Sequence, residues 1–397
     1  MWYAVERASM IDWPALARRC RFASSNQAGQ PMSESHALEP SQQPAMHQDL
    51  GERLIFLISL PRSGSTLLQH LIGSHAEVGI TAEPWILLPA AYALRPTGVT
   101  STYGADIASI AINDFLRQIP DGEQEYCIAV RKMALHLYDA HMRQHDKQRF
   151  LDKTSRYYMI FPELVRIFPN AKFIFLYRNP LAMLSSFLEV MVQQDWRKLG
   201  ENPGIRCDLK TGLATMAQAA ESLGDTAPSV RYEDLVADPE ATLRQICDKI
   251  ELDFESRMLT YGDSGVSPGK LVDPKSIHKH SEAVPDYLDN WRSSFDNPQK
   301  RELARGFLEQ LGRPLVEQIG YSYDELAVAA GRGGFFANLA SAKWASIMTP
   351  PEERRFLDKL RLGWAYAAQH PAETLRTAVA KCLAYVRSGI RRALGMG

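Results

Sequence analysis

The amino-acid sequence predicts a three-layer α/β fold: a mainly parallel sheet flanked by helices, with a helical insert and a helical C-terminal appendage. Three observations predict it. Residues 54–60 are a continuous apolar run of strand length, followed after a tight turn by apolar residues at helical spacing over 66–72. The same strand-to-helix unit recurs at 173–177 with a helix from Pro180, and more weakly at 229–232 with a helix over 239–250. Strands that are apolar on both faces belong in the middle of a sheet covered on both sides, the usual setting of parallel strands.

Taken in order, residues 1–48 are expected to be an N-terminal extension and linker. The stretch 23–48 is rich in Ser, Gln, Pro, Glu and His and has too little apolar material to bury. Residues 49–330 are expected to form the main domain. Within it, 84–148 is a helical insert in which Val130, Met133 and Leu137 are spaced to face a core. From 331 a Gly-rich break at Gly331, Gly333 and Gly334 precedes a C-terminal appendage over 331–397, with helices near 351–369 and 371–394. Leu375, Val379, Leu383, Val386 and Ile390 make one stripe of the last helix, opposite Arg376, Lys381, Arg387, Arg391 and Arg392. Such a helix suits peripheral contact with the inner, anionic face of a membrane, and equally suits packing on its own domain with a solvated basic face.

Composition limits the function classes. With 45% hydrophobic and 23% charged residues the chain is that of a globular protein. Lys+Arg 45 against Asp+Glu 46 leaves a net charge of -1, so no overall field points to a nucleic-acid partner and any anion must be held locally. Cys20, Cys127, Cys207, Cys247 and Cys382 are scattered and odd in number, which argues against a zinc site or a disulfide framework and for a reducing cytoplasm. Glu6 and Arg7 interrupt any apolar run at the N-terminus, so a signal peptide or spanning helix is not expected there.

The strongest local signal is Pro61-Arg62-Ser63-Gly64-Ser65-Thr66, between the first strand and its helix. Gly64 lets the backbone approach a ligand, and the N-H groups and dipole of the helix start attract an anion. Arg62 adds charge, and Ser65 and Thr66 add hydroxyls. A helix cap is the alternative reading of such a turn. The lysine of a triphosphate-binding loop is missing and no acidic magnesium site is evident, so no metal is expected at the centre. A second signal is Tyr177-Arg178-Asn179-Pro180. Arg178 leaves the carboxyl end of a strand, where α/β sheets bind ligands, and its fork suits a phosphate dianion. Ser186, eight residues on, offers another hydroxyl; the competing reading of Arg178 is a surface ion pair.

Together PRSGST, RNPLAMLSS and RYEDL, in this order and spacing over about residues 54–291, resemble the sulfotransferases that use 3′-phosphoadenosine-5′-phosphosulfate (PAPS). The resemblance implies the P-loop NTPase-like sulfotransferase fold. It implies that Arg62, Ser63, Gly64, Ser65 and Thr66 hold the 5′-phosphosulfate, that Arg178 and Ser186 bind the 3′-phosphate, and that Tyr232 lies near the adenine. It also implies a basic loop closing over the 3′-phosphate, for which Lys275 or Lys279 is the candidate, a solvated charge run being the other reading.

Sulfuryl transfer needs an acceptor oxygen in line with a leaving oxygen, a base and a cation. The strand expected over 149–154, where the cytosolic small-molecule enzymes carry a histidine base, offers Asp152 and Lys153 instead. Glu83, after the short segment 78–82, is the base by resemblance to the tyrosylprotein and bacterial glycan sulfotransferases; a cap for the helix after Pro84 is its alternative role. A carboxylate of reference pKa about 4.3 deprotonates an alcohol late in the transfer. Lys153, with Arg62, is the cation for the developing charge. His70, His75, His136 and His141 are conceivable bases in settings that favour core or surface roles. The expected acceptor is a hydroxyl of a glycan or glycolipid, then a peptide tyrosine, then a small phenol. A divergent P-loop kinase and a non-catalytic nucleotide-binding protein are the readings outside this class.

Overall fold

The computed structural model describes residues 49–260, 289–331 and 337–350. The expected linker, Lys275, Lys279, and the helices expected over 351–369 and 371–394 lie outside these residues.

The chain enters through β1 (Leu54–Ser59), which turns into α1 (Ser65–Gly73) and then the short β2 (Val78–Ile80). The insert follows as α2 (Leu87–Tyr92), α3 (Ala105–Leu116) and the long α4 (Gly122–Gln144). Next come β3 (Arg149–Asp152), α5 (Phe161–Ile167), β4 (Lys172–Tyr177) and α6 (Pro180–Ser186), which runs on through a π-helical turn. After α7 (Pro203–Cys207) and α8 (Leu213–Leu223) the last strand, β5 (Ser229–Arg231), leads into α9 (Tyr232–Ala237) and α10 (Pro239–Ile250). Two further helices, α11 (Pro298–Gln318, kinked at Gly312) and α12 (Tyr323–Ala329), precede α13 (Ala337–Met348).

The five strands form one parallel sheet in the order β2-β3-β1-β4-β5. Phe56 of β1 stands opposite Asp152 of β3 on one side and Phe173 of β4 on the other. Side chains alternate between faces along each strand, and here the alternation separates two cores of different character. Leu54, Phe56 and Ile58 join Phe150, Phe173 and Phe175 in a core rich in aromatic rings, which is closed by residues of α4, α5, α6, α8 and α11. Ile55 and Leu57 join Leu151, Ile174, Leu176 and Val230 in an aliphatic core, closed by Leu68, Leu71 and Ile72 of α1 and by Leu243, Ile246 and Ile250 of α10. All six residues of β1 are buried, its five apolar residues and Ser59 alike, as befits a strand covered on both faces.

The predicted α/β class and its three layers are therefore present, and element ends shift by a residue or two. The strand expected through residue 60 stops at Ser59 and the helix expected from 66 begins at Ser65. Of the insert residues expected to face a core, Val130 is buried but Met133 and Leu137 are exposed; the buried stripe of α4 runs through Cys127, Ala134 and Tyr138 instead. Trp291 lies, buried, in a 3-10 turn (Asn290–Phe295). Past Gly331, α13 lies on α11: Trp344 belongs to the aromatic core, 5.1 Å from the ring of Phe307, and donates to Gln310 at 2.6 Å. Among the described residues no helix is long and apolar enough to cross a membrane.

Candidate active site

Because every strand runs the same way, all five carboxyl ends open on one edge of the sheet, the usual place for a ligand in such folds. The sheet order then lines up the residues just beyond each strand. Glu83 follows β2, Lys153 follows β3, the Arg62 loop follows β1, Arg178 follows β4 and Tyr232 follows β5. Residues distant in the sequence thus form a single row.

The central loop combines two left-handed residues, Arg62 (φ 69) and Gly64 (φ 83), and Gly64 stands at the N-cap of α1 without any side-chain capping bond. The capping alternative for its serines is not what the structure adopts. A Cβ on Gly64 would sit 2.2 Å from Cδ2 of Tyr232, so only glycine lets that ring lie against the loop. The Arg62 Nε donates to Ser186 Oγ at 3.0 Å, and Arg178 Nη1 donates to the Arg62 carbonyl at 3.0 Å. The Arg178 guanidinium also lies 4.8 Å from the Tyr232 ring centre. The structure therefore brings Arg62, Gly64, Arg178, Ser186 and Tyr232 together. The buried Nε of Arg178 has no acceptor among the described residues. A buried guanidinium N-H without an acceptor, beside an uncapped helix start, is what an anionic phosphate would satisfy.

At the other end of the row, the Glu83 carboxylate accepts three hydrogen bonds. Lys153 Nζ and Ser155 Oγ donate to Oε1, the lysine at 2.9 Å, and the indole N-H of Trp85 donates to Oε2 at 2.9 Å. The Lys153 and Glu83 side chains are 6% and 11% exposed, so the pair is shielded from most screening. Glu83 does not cap α2, whose N-cap is Ile86 without a side-chain bond. Trp85 has a left-handed backbone (φ 57), a rare state for a bulky residue and one found where surrounding structure enforces it. The Arg156 guanidinium stands 6.0 Å from its ring centre and pairs with buried Asp208 at 2.9 Å.

Beneath this pair Asp152 is buried and fully engaged, accepting from the Tyr138 hydroxyl at 2.6 Å, Tyr157 at 3.0 Å and Thr154 at 2.9 Å. Burial pushes its carboxyl up to about 6, a rise that the three donors oppose and Glu83 assists. Of the histidines, His70 is buried in α1 and pushed down to about 4 by burial and by the Lys153 charge. His75 is tied to Asp253 O at 3.0 Å, the His141 ring lies tilted 4.5 Å from that of His145, and His136 is exposed. Ser155 and Trp85 are contacts of Glu83 that sequence reasoning missed. Their one signal is position, two residues beyond Lys153 and Glu83 respectively.

The chain is similar to known proteins over the segment that carries these residues. The model of the sulfotransferase family matches residues 54–256, beginning at the first residue of β1 and covering half of the chain. The nodulation protein NoeE of Sinorhizobium fredii is 25% identical over 297 residues, 68% of this chain and 66% of that protein. Protein-tyrosine sulfotransferase A of Caenorhabditis elegans is 25% identical over 245 residues, 58% of this chain and 57% of that protein. The chain thus spans about two thirds or less of the length of these curated relatives. Among solved structures, the sulfotransferase domain from the Synechococcus PCC 7002 olefin synthase aligns with 24% identity and a TM-score of 0.41, covering 64% of this chain and 92% of that domain. With half its length matched by the family model, starting at the first residue of β1, the chain belongs to the sulfotransferase family.

Proposed function

We propose that this sulfotransferase moves a sulfuryl group from PAPS to a hydroxyl of a glycan or glycolipid, with Glu83 as general base and Lys153 and Arg62 stabilising the group in transfer. The observation that carries the reading is the shielded Glu83–Lys153 pair on the same sheet edge as the Arg62 loop. Arg178 and Ser186 would hold the 3′-phosphate, residues 62–66 the phosphosulfate, and Tyr232 the adenine side; Lys275 or Lys279 remains the candidate for closing over the 3′-phosphate. PAPS supplies a sulfuryl group on a good leaving group. A bond forms from the acceptor oxygen to sulfur as the bond from sulfur to the bridging phosphate oxygen breaks. Glu83 takes the acceptor's proton, and Lys153, next in the row toward Arg62, meets the charge that develops on the leaving side. Ser155 and Trp85 keep the carboxylate aimed throughout. Family membership sets aside the kinase reading.

Incubation with sulfur-labelled PAPS and fractionated cell extract tests the assignment. The expected result is a labelled glycan or glycolipid and release of adenosine 3′,5′-bisphosphate. Glu83→Gln is expected to bind that bisphosphate normally and to lose about 10²- to 10⁴-fold in turnover, the usual worth of a general base; full sulfation by this variant would remove Glu83 from the role. A peptide tyrosine is the second reading of the acceptor, favoured by tyrosine sulfotransferases among the relatives. Label appearing on protein instead of carbohydrate would select it.

A further inference from the structure

Arg178 needs more than its own side-chain bonds to aim at a phosphate, because it sits in a turn between β4 and α6. The peptide N-H that follows it, that of Asn179, donates to Glu233 Oε1 at 3.0 Å. Asn179 in turn caps α6 through its side chain, accepting from Leu181 N and Ala182 N. The second oxygen of Glu233 accepts from the Tyr321 hydroxyl at 2.6 Å. Both oxygens of the Glu233 carboxylate are thus committed to fixing neighbours.

Tyr321 comes from outside the segment that the family model matches. It follows Gly320, a left-handed residue (φ 88) at the turn between α11 and α12. Arg231, the last residue of β5, donates to the Gly320 carbonyl at 2.8 Å, is held by Asp234, and lies 5.6 Å from the Tyr321 ring centre. Burial and the Glu233 charge push the Tyr321 hydroxyl upward, so it remains a donor.

We propose that Glu233 is a positioning residue for the 3′-phosphate subsite, acting on Arg178 through the Asn179 peptide, and that Tyr321 locks Glu233 in place. The inference rests on the reading of Arg178 as the 3′-phosphate ligand. It makes discrimination for a 3′-phosphorylated donor depend on the turn between α11 and α12. Within α9, successive residues share the work: Tyr232 packs on Gly64 and Glu233 fixes Asn179.

The test is calorimetric binding of adenosine 3′,5′-bisphosphate and adenosine 5′-monophosphate to the full chain, which separates the 3′-phosphate from all other contacts. In Glu233→Ala the preference for the bisphosphate is expected to fall about tenfold with monophosphate affinity unchanged, and in Tyr321→Phe about threefold, as expected for losing one or two charge-assisted bonds. Glu233→Gln should keep most of the preference, since its amide oxygen still accepts from Asn179. In an Arg178→Ala background Glu233→Ala should cost nothing more, as for residues acting as a unit. Should Glu233→Ala fail to fold, Tyr321→Phe and Glu233→Gln carry the test. Equal losses for the two nucleotides, or a further loss in the Arg178→Ala background, would overturn the proposal. A wild-type protein with no preference for the bisphosphate would instead overturn the PAPS reading itself, and this inference with it.

Discussion

Two buried titratable side chains near the Glu83–Lys153 pair respond to acid in opposite directions. Asp152 has its folded pKa raised to about 6 from 3.8, so the native state takes up its proton first; its stabilisation is fully present below about pH 4 and is lost as pH rises through 6. His70 is depressed to about 4 from 6.5, so its contribution is present above about pH 6.5 and is lost as pH falls toward 4. The two slopes offset one another in the wild type. Asp152→Asn is expected to lose stability relative to wild type on going from about pH 7 to about pH 4, by on the order of 3 kcal/mol. His70→Gln should gain relative to wild type over the same range; urea unfolding at stepped pH reads both. At this scale, Lys153 and Arg178 were legible as candidates because each is the residue after a strand, Arg62 because its loop joins β1 to α1, and Glu83 only through the family resemblance. Ser155 and Trp85 were not, since their partner is a carboxylate 72 residues away for Ser155 and lies behind a strained backbone for Trp85. The Asp152 network was equally hidden, because Tyr138 reaches it from the middle of α4.

The turn between β1 and α1 depends on a contact from the residue just after β5. Gly64→Ala would place a methyl into the Tyr232 ring while keeping a positive φ, which costs about 1–2 kcal/mol in backbone strain alone. Affinity for adenosine 3′,5′-bisphosphate should fall by at least about tenfold, with a smaller change in melting temperature than a core truncation causes; unchanged affinity would mean that Tyr232 does not share the nucleotide site. Long apolar elements such as β1 and β4 were visible as runs, and α10 as the helix expected over 239–250, whose cap, Asp238, the structure adds. β2 and β5 are only three residues each, too short for a period to show; β5 was read only weakly, through the helix that follows it, and 78–82 was marked only as a short segment before Glu83.

For the molecule as a whole, α13 is part of the aromatic core. Trp344 is 2% exposed, and Gly306 of α11 has no room for a Cβ because the Ala340 carbonyl would lie 2.5 Å from it. Trp344→Ala should destabilise the protein by about 3–5 kcal/mol, visible as a lower melting temperature, while the ratio of bisphosphate to monophosphate binding stays at its wild-type value. The Gly-rich segment after 331 was legible as a break in pattern, but glycine content says nothing about whether the chain returns to the same core. Sheet order was likewise not readable, because the crossovers that place β3 between β2 and β1 leave no mark on local periodicity. That order sorts the molecule into expendable and indispensable parts. β2 lies at the margin of the sheet with one neighbour, and the segment it feeds is uneven in its commitments: α3 buries only Ser109 and Leu116, whereas α4 supplies Tyr138 to the floor of the site. A graft that exchanges the stretch around α3 for that of a relative would therefore leave the row of residues along the sheet edge standing, while one that includes α4 would pull out its foundation.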